Sequence, residues 1–478
     1  MIKYFRGSVL AAMLCACAAP TSQDGDASSA GSKDAGSSAV GSPVKATVKN
    51  EAALYDGYLF WHSADEIADD VVNNTYLTDA SGNLIHTWPT ELTGGGTPAY
   101  LLEGGRVVRT GVRDMEFSRK GPVVSADTIQ VVDLNGSIVW EASAKDLGDF
   151  HFHHDIEPMP NGNFLVLTYH PIAADEARAI GWDPGDAERI WSDGVIEIKP
   201  DYDSGEAEIV WSWKVADHLI QDRFPDAPNY GVVADNPHKI DPHFPKSYAP
   251  TKVIRQHINS VDYNEKLDQI ALSVFIYNEV WIIDHGTTSA EASTSEGGRV
   301  GMGGDLLFRV GNPEAYDRGG PDDRIFLKQH DANWIDRGLS GAGDLIVHNN
   351  NAVLKPRAAQ FTSENPIPGN RITEEGISQI IQLQLPVRSD GTYERESGRP
   401  FSAERTWFWE SPEYFAAFQG GARRLPNKST LLTDTEGRLA IEVSDTGEIV
   451  AEYEGAAPSF KAFKYSREDV AAVLEHQR

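Results

Sequence analysis

From residue 57 onward the chain alternates apolar and polar positions in short runs, each broken by Gly, Asn, Asp or Pro. A period of two over such runs marks half-buried β-strands. The runs come in pairs. TYLTDASGNLIHTW (residues 75–88) reads as a strand, an Asp-x-x-Gly turn and a strand ending in Trp. TIQVVDLNGSIVW (128–140) repeats it, and GVIEIKPDYDSGEAEIVWSW (194–213) repeats it with a longer turn. EVWIIDH from 279 and GDLLFRVGN from 304 form the same pair around a Ser/Gly/Thr-rich insertion, as do SQIIQLQL from 378 and RTWFWE from 405. GRLAIEVSDTGEIVAEYE (437–454) is the last of six hairpins.

The segments between the hairpins supply the other half of each unit: TPAYLLEGGRVVRT from 97, three histidine-headed stretches from 153, 257 and 328, and GGARRLPNKSTLLT from 420. GYLFWHS (57–63) supplies the sixth. Four strands repeated six times predict an all-β fold, a six-bladed β-propeller of four-stranded antiparallel blades over 52–460. The terminal strands are expected to share a blade and close the ring. Within the tail 461–478, Ser466 and Asp469 have capping-box spacing and predict one short helix.

The first residues follow different rules. Lys3 and Arg6 precede an apolar run at 8–19 that is too short to span a bilayer, as in a secretory signal. Leu14-Cys15-Ala16-Cys17 resembles a bacterial lipobox, so 1–17 is expected to be a lipoprotein signal with Cys17 lipidated. The expected location is the periplasm or cell surface, held to the outer membrane by the lipid anchor only. Residues 18–51 are rich in Ser, Gly, Ala and Asp and read as a flexible tether. Cys15 and Cys17 are the only cysteines, which excludes a disulfide, a thiolate nucleophile and a Cys-ligated zinc from the folded part. The net charge of −29 argues against nucleic acid as a partner.

The candidate chemistry lies in the histidine-headed stretches HHDIEPMPNGNFLVLT, HINSVDYNEKLDQIALSV and KQHDANWIDRGLSGAGDLIVHNNN. The first strand of each blade lines a propeller's axis, so His154, His257 and His330 are expected to meet at one mouth of the channel. Neighbours on a regular strand face opposite sides, so Asp155 and Asp331 would turn into the blades and hold backbone donors. His257 and Asn259, two apart, would share the channel face. Neutral histidine serves as nucleophile or base, protonated histidine holds an anion, and Asn adds neutral donors. His348 and Asn349 stand where they could support His330. Three histidines on separate blades lack a short-spaced ligand pair, so no metal and no cofactor is expected.

The order of TYLTDASGNLIHTW, HHDIEPMPNGN, HINSVDYN, GNPEAY-x-RG (311–319) and QHDANWI resembles the bacterial arylsulfotransferase family, from about residue 57 to about 454. The resemblance implies a six-bladed propeller that moves a sulfuryl group from an aryl sulfate to a phenol. It implies a ping-pong cycle through a sulfated histidine, with no nucleotide sulfate donor. Carried onto this chain, His330 is the nucleophile, His257 and Asn259 match a His-x-Asn motif that helps to hold the sulfate, and His154 matches a further channel histidine. Phe275, Trp334 and Tyr277 would stack on the phenols. One position departs: Phe275 stands where the family places an arginine, which leaves Arg255, Arg324, Lys328 and Arg423 open as replacements. The alternative reading is a propeller lipoprotein that binds a ligand or partner without catalysis. A hydrolase passing sulfate to water and a metal-dependent oxidase are further rivals.

Overall fold

The computed structural model describes residues 44–63, 74–93, 97–122, 125–245, 254–351, 377–416, 418–434, 439–455 and 458–478. Six antiparallel sheets form the blades of a β-propeller, as the repeats predict. The second blade holds Ala99–Leu101, Val107–Gly111, Thr128–Val132 and Ile138–Ser143. The third holds His151–Pro158, Phe164–Ala173, Arg189–Pro200 and Ala207–Lys214, with Ser125–Ala126 beside the first of these. The fourth holds Ile258–Asn264, Gln269–Val274, Glu279–Asp284 and Phe308–Val310, and the fifth His330–Trp334, Leu345–Asn349, Gln379–Gln384 and Glu404–Glu410.

The first and sixth blades close the ring twice. Pro458–Tyr465 pairs with Tyr58–Ser63, so the last strand of the chain lines the axis of the first blade. The sixth holds Gly421–Arg424, Thr430–Asp434, Leu439–Val443 and Ile449–Gly455, and Val44–Val48 pairs with the last of these on its outer edge. Both findings shift expected boundaries. Val44–Val48 falls inside the stretch 18–51 read as tether, and the closing strand runs past 460 into the predicted tail. VKATV alternates buried and exposed positions, a strand pattern too brief to stand out beside its Ser- and Gly-rich neighbours. The predicted terminal helix forms at Ala471–His476; the reciprocal Ser466–Asp469 bonds (2.8 and 3.3 Å) close the turn before it, and its N-cap, Val470, has no side-chain cap. Cys17 and the expected signal lie outside the described residues. Among the described residues no helix is long and apolar enough to cross a membrane.

The hydrophobic core is a set of layers between neighbouring blades. Phe60, Leu77 and Trp88 of the first blade pack with Val107 and Val132 of the second, and Val470 and Val473 of the terminal segment seal that layer. Tyr100, Val108 and Ile129 of the second pack with Phe152, Phe164 and Ile196 of the third. Tryptophans of the outer strands fasten one blade to the next. Trp88 donates to the Gly105 carbonyl (3.2 Å), Trp140 to Glu206 (2.9 Å), Trp213 to Gly304 (2.7 Å) and Trp409 to Gly447 (3.0 Å). Each indole thus buries a large apolar surface and satisfies its one donor.

A second set of ties runs around the axis. Asp155 accepts the Val261 amide (2.9 Å), Ser260 the Ala332 amide (3.1 Å), Asp262 the Trp334 amide (2.8 Å) and Asp331 the Ala422 amide (3.1 Å). Every one reaches from one inner strand to the next blade. Lys461, on the closing strand, binds Asp155 (2.5 Å), Asp331 (3.5 Å) and the Tyr100 hydroxyl (2.8 Å), with its side chain fully buried. Removing one partner from a buried ion pair strands the other charge, at about 3–5 kcal/mol. Lys461→Met is therefore expected to lower unfolding free energy by about that amount in urea titration, and a loss below ~1 kcal/mol would contradict the tie.

Candidate active site

The histidine ends of three inner strands share one irregularity. Pairing with the second strand slips between Phe152 and Ile156, between Ile258 and Ser260, and between His330 and Asn333. His154 (φ 48°), His257 (φ 57°) and Asp331 (φ 46°) lie at or beside these bulges in the left-handed region, which is costly for residues with a Cβ. A bulge re-aims side chains and breaks the alternation of a regular strand. It turns Asp155 and Asp331 toward Lys461 as well as toward backbone donors of the next blade.

The bulges bring the three predicted histidines together. The rings of His154 and His257 are 4.5 Å apart, edge to face. Phe275 lies between His257 (5.1 Å) and His330 (5.4 Å). His154 and His330 are buried, while His257 and Phe275 are partly exposed and open the cluster to solvent. Burial lowers all three histidines. His330 falls to about 4, against the pull of its hydrogen bond to Asn350 Oδ1, and His257 to about 3, helped by the nearby His330 and Lys328. His154 lies well below its ordinary value through burial and the neighbouring His257 and His153. Neutral imidazoles therefore line the site at pH 7.

The ring of His330 is oriented. Its Nδ1 lies 2.7 Å from Asn350 Oδ1 and 3.1 Å from the Lys328 carbonyl, both acceptors. Asn350 is held in that sense because its own amide donates to the Ala416 (2.9 Å) and Gln419 (2.7 Å) carbonyls. Nδ1 thus carries the proton, and Nε2 keeps its lone pair. Sequence reasoning placed this support at His348 and Asn349. Those two are spent elsewhere, His348 on the Tyr414 hydroxyl (2.8 Å) and Asn349 on the Leu327 amide (2.8 Å). The one signal for Asn350 was the run of three asparagines after the strand.

His154 is held by His153, Nδ1 to Nδ1 at 2.9 Å, and His153 stacks on Tyr169 at 3.6 Å. His257 is held through its backbone: Asp193 accepts its amide (3.2 Å) and that of Ile258 (2.9 Å). Burial pushes Asp193 up to about 7. Asn259 sits in the bulge and spends one amide proton on the Gln329 carbonyl (2.9 Å), so only part of its donor capacity is left. Trp334 is buried in the large core shared by the third, fourth and fifth blades, the core against which Phe275 also packs. Tyr277 is likewise core, its hydroxyl on the Asp241 carbonyl (2.6 Å). Tyr277 lies in the turn between Gln269–Val274 and Glu279–Asp284, and Trp334 ends the inner strand of the fifth blade.

Of the four candidate cations, Arg255 donates to the Asp183 carbonyl (2.8 Å), Arg324 pairs with Glu314 (2.9 Å), and Arg423 pairs with Asp331 (2.9 Å). The fourth, Lys328, stands over the Phe275 ring, its ammonium 4.5 Å from the centroid. Among the described residues no cluster of His, Cys, Asp or Glu has the geometry to hold a metal ion.

The family model of the arylsulfotransferases (ASST) matches residues 46–384, a span that contains all three histidines. The chain belongs to the arylsulfotransferase family. Membership makes it a sulfotransferase in general terms and points to small aryl sulfates and phenols as substrates. No curated protein matches the chain. Among solved structures, a protein of unknown function from Bacteroides caccae is similar at 10% identity and a TM-score of 0.42, over 83% of this chain and 93% of that one. The β-propeller domain of Cps50 (Swd1) from Myceliophteria thermophila is similar at 8% identity and a TM-score of 0.41, over 87% of each chain. Virginiamycin B lyase from Staphylococcus aureus is similar at 10% identity and a TM-score of 0.36, over 86% of this chain and 88% of that one.

Proposed function

We propose that this arylsulfotransferase moves a sulfuryl group from an aryl sulfate to a phenol through a sulfated His330. The observation that carries the reading is the state of that ring: Nδ1–H engaged by two carbonyl oxygens, which leaves the lone pair on Nε2, with Phe275 against the ring and His257 and His154 beyond it. Nε2 attacks sulfur, the S–O bond to the aryl group breaks, and the phenolate leaves with the electron pair. The sulfated ring is cationic, and its Nδ1–H shares that charge with the Lys328 carbonyl and Asn350 Oδ1. In the second half an acceptor phenol attacks sulfur, the S–N bond breaks and its pair returns to Nε2. The phenol's proton passes to His257 or His154, whose basicity rises once an anion occupies the site. Positioning and charge stabilisation supply most of such a group transfer. Phe275 presents an apolar face to the aryl rings.

Phe275 in place of the family arginine favours a second reading, a propeller that binds aryl anions without turnover. We further propose that the chain is a lipoprotein of the outer membrane, on the support of its charged start, apolar run and Cys17. Fatty-acid labelling of the expressed chain should then be lost in Cys17→Ser, and labelling that persists would overturn the anchor.

A chromogenic phenyl sulfate, with and without an acceptor phenol, separates the readings. Release of the chromophore should rise with phenol concentration and fall by at least ~10³-fold in His330→Ala, with the melting temperature unchanged. Release independent of phenol would mark a hydrolase, and no release a binding protein. The neutral ring is the active form and its pKa is lowered to about 4, so activity should be lost as pH falls through about 4 rather than through the ordinary 6.5. An acid limb centred near 6.5 would contradict the assignment.

A further inference from the structure

We infer that His153 and Asp193 are positioning residues that hold His154 with its proton on Nδ1 and its lone pair on Nε2, which makes His154 rather than His257 the base that takes the acceptor phenol's proton. This rests on the transfer reading above and separates two histidines that the reading leaves as equals. A neutral histidine is a base only at the nitrogen that keeps its lone pair, and the hydrogen bond made by the other nitrogen decides which one that is.

The first link joins neighbours in sequence. Nδ1 of His153 lies 2.9 Å from Nδ1 of His154, so one of the two nitrogens donates and the other accepts. Adjacent residues of a regular strand point to opposite faces and could not meet in this way. The bulge and the left-handed backbone of His154 (φ 48°) bring the two rings together at 88°. The far edge of His153 decides which nitrogen donates. Its Nε2 faces Asp193 Oδ1 at 3.6 Å, with both side chains fully buried. That oxygen already accepts the Ile258 amide (2.9 Å), so it meets the ring as an acceptor. The Thr168 backbone also acts on His153 as an acceptor. At 3.6 Å the contact with Asp193 is one of charge and dipole rather than a hydrogen bond, and it favours the proton of His153 on Nε2. Burial keeps His153 neutral, so its Nδ1 has only a lone pair to offer and His154 is the donor between them. Tyr169, stacked on His153 with centroids 3.6 Å and planes 11° apart, keeps that ring from turning.

His257 has no such frame. Asp193 holds its amide, but among the described residues no hydrogen bond fixes its ring, and the residue is partly exposed. In the transfer the phenol's O–H bond breaks as its oxygen bonds to sulfur. The proton goes to His154 Nε2, and the electron pair of the S–N bond returns to His330 Nε2. His154 is then an imidazolium whose Nδ1–H points at His153, with the carboxyl group of Asp193 beyond to offset the charge.

Two variants and two acceptors test this. His153→Phe keeps a ring against Tyr169 and removes the acceptor, whereas His153→Asn puts Oδ1 where Nδ1 stood and restores it. The donor is a chromogenic phenyl sulfate at about pH 8, whose phenolate leaves without a proton, so the first burst of chromophore should stay within about 3-fold of the parent in both variants. Transfer to unsubstituted phenol, which is un-ionised at that pH, should fall by roughly 10- to 100-fold in His153→Phe and by less than about 3-fold in His153→Asn. Transfer to an electron-poor phenol already ionised at that pH should fall by less than about 3-fold in His153→Phe, because no proton is left to take. A variant that merely loosened the site would lose both acceptors alike. Equal losses with the two phenols, or no loss with either, would overturn His154 as the base. Nitrogen NMR of isotope-labelled histidines reports the tautomer whether or not transfer occurs, so failure of the transfer reading and failure of this one are told apart. A proton on His154 Nδ1 in the parent, redistributed in His153→Phe, is expected; a proton on Nε2 in the parent would overturn the positioning.

Discussion

The structure depends on a lysine between two carboxylates. Asp155 and Asp331 directly follow His154 and His330, and Lys461 binds both from the closing strand. A buried ammonium tolerates only close, opposite charge, so the contact fixes the third and fifth blades against the first. The closing strand also completes the ring through its pairing with Tyr58–Ser63. Closure and site geometry are therefore linked: Lys461 brings Asp155 its counter-charge and adds a second to Asp331. Arg423 extends the network from the sixth blade to Asp331 and Asp262. Burial pushes Asp262 up to about 7 against the pull of Arg423, which keeps the negative charge of the centre down.

Strain sits where the chemistry is proposed. His154, His257, Lys328 and Asp331 all take left-handed backbones, each at a cost of about 1–3 kcal/mol unless the surroundings over-determine it. The surroundings do so with named bonds: Asp193 on the His257 amide, Asn278 on the Lys328 amide, and Asp331 on the Ala422 amide and Arg423. The pull of these bonds converts three irregular strand ends into a cluster of facing rings. Burial then makes the rings neutral, the state a nitrogen nucleophile requires.

The blades were legible because alternation and turn residues are local, and each hairpin carries both. The meeting of His154, His257 and His330 was legible because a ring maps equivalent repeat positions to one place. What escaped was set by tertiary contact. Bulges are invisible in a pattern of period two, so the turn of Asp155 and Asp331 toward Lys461 was not foreseen. Asn350 was missed because its value lies in the Ala416 and Gln419 carbonyls, which come from beyond residue 400.

The central claim is that a single imidazole nitrogen carries the sulfuryl group between donor and acceptor. Mass spectrometry of the protein quenched after incubation with an aryl sulfate donor alone, and digested at alkaline pH, tests it most directly. The account predicts a sulfuryl adduct on the peptide that contains His330, gone once a phenol is added. An adduct on another residue, or none while transfer proceeds, would contradict it.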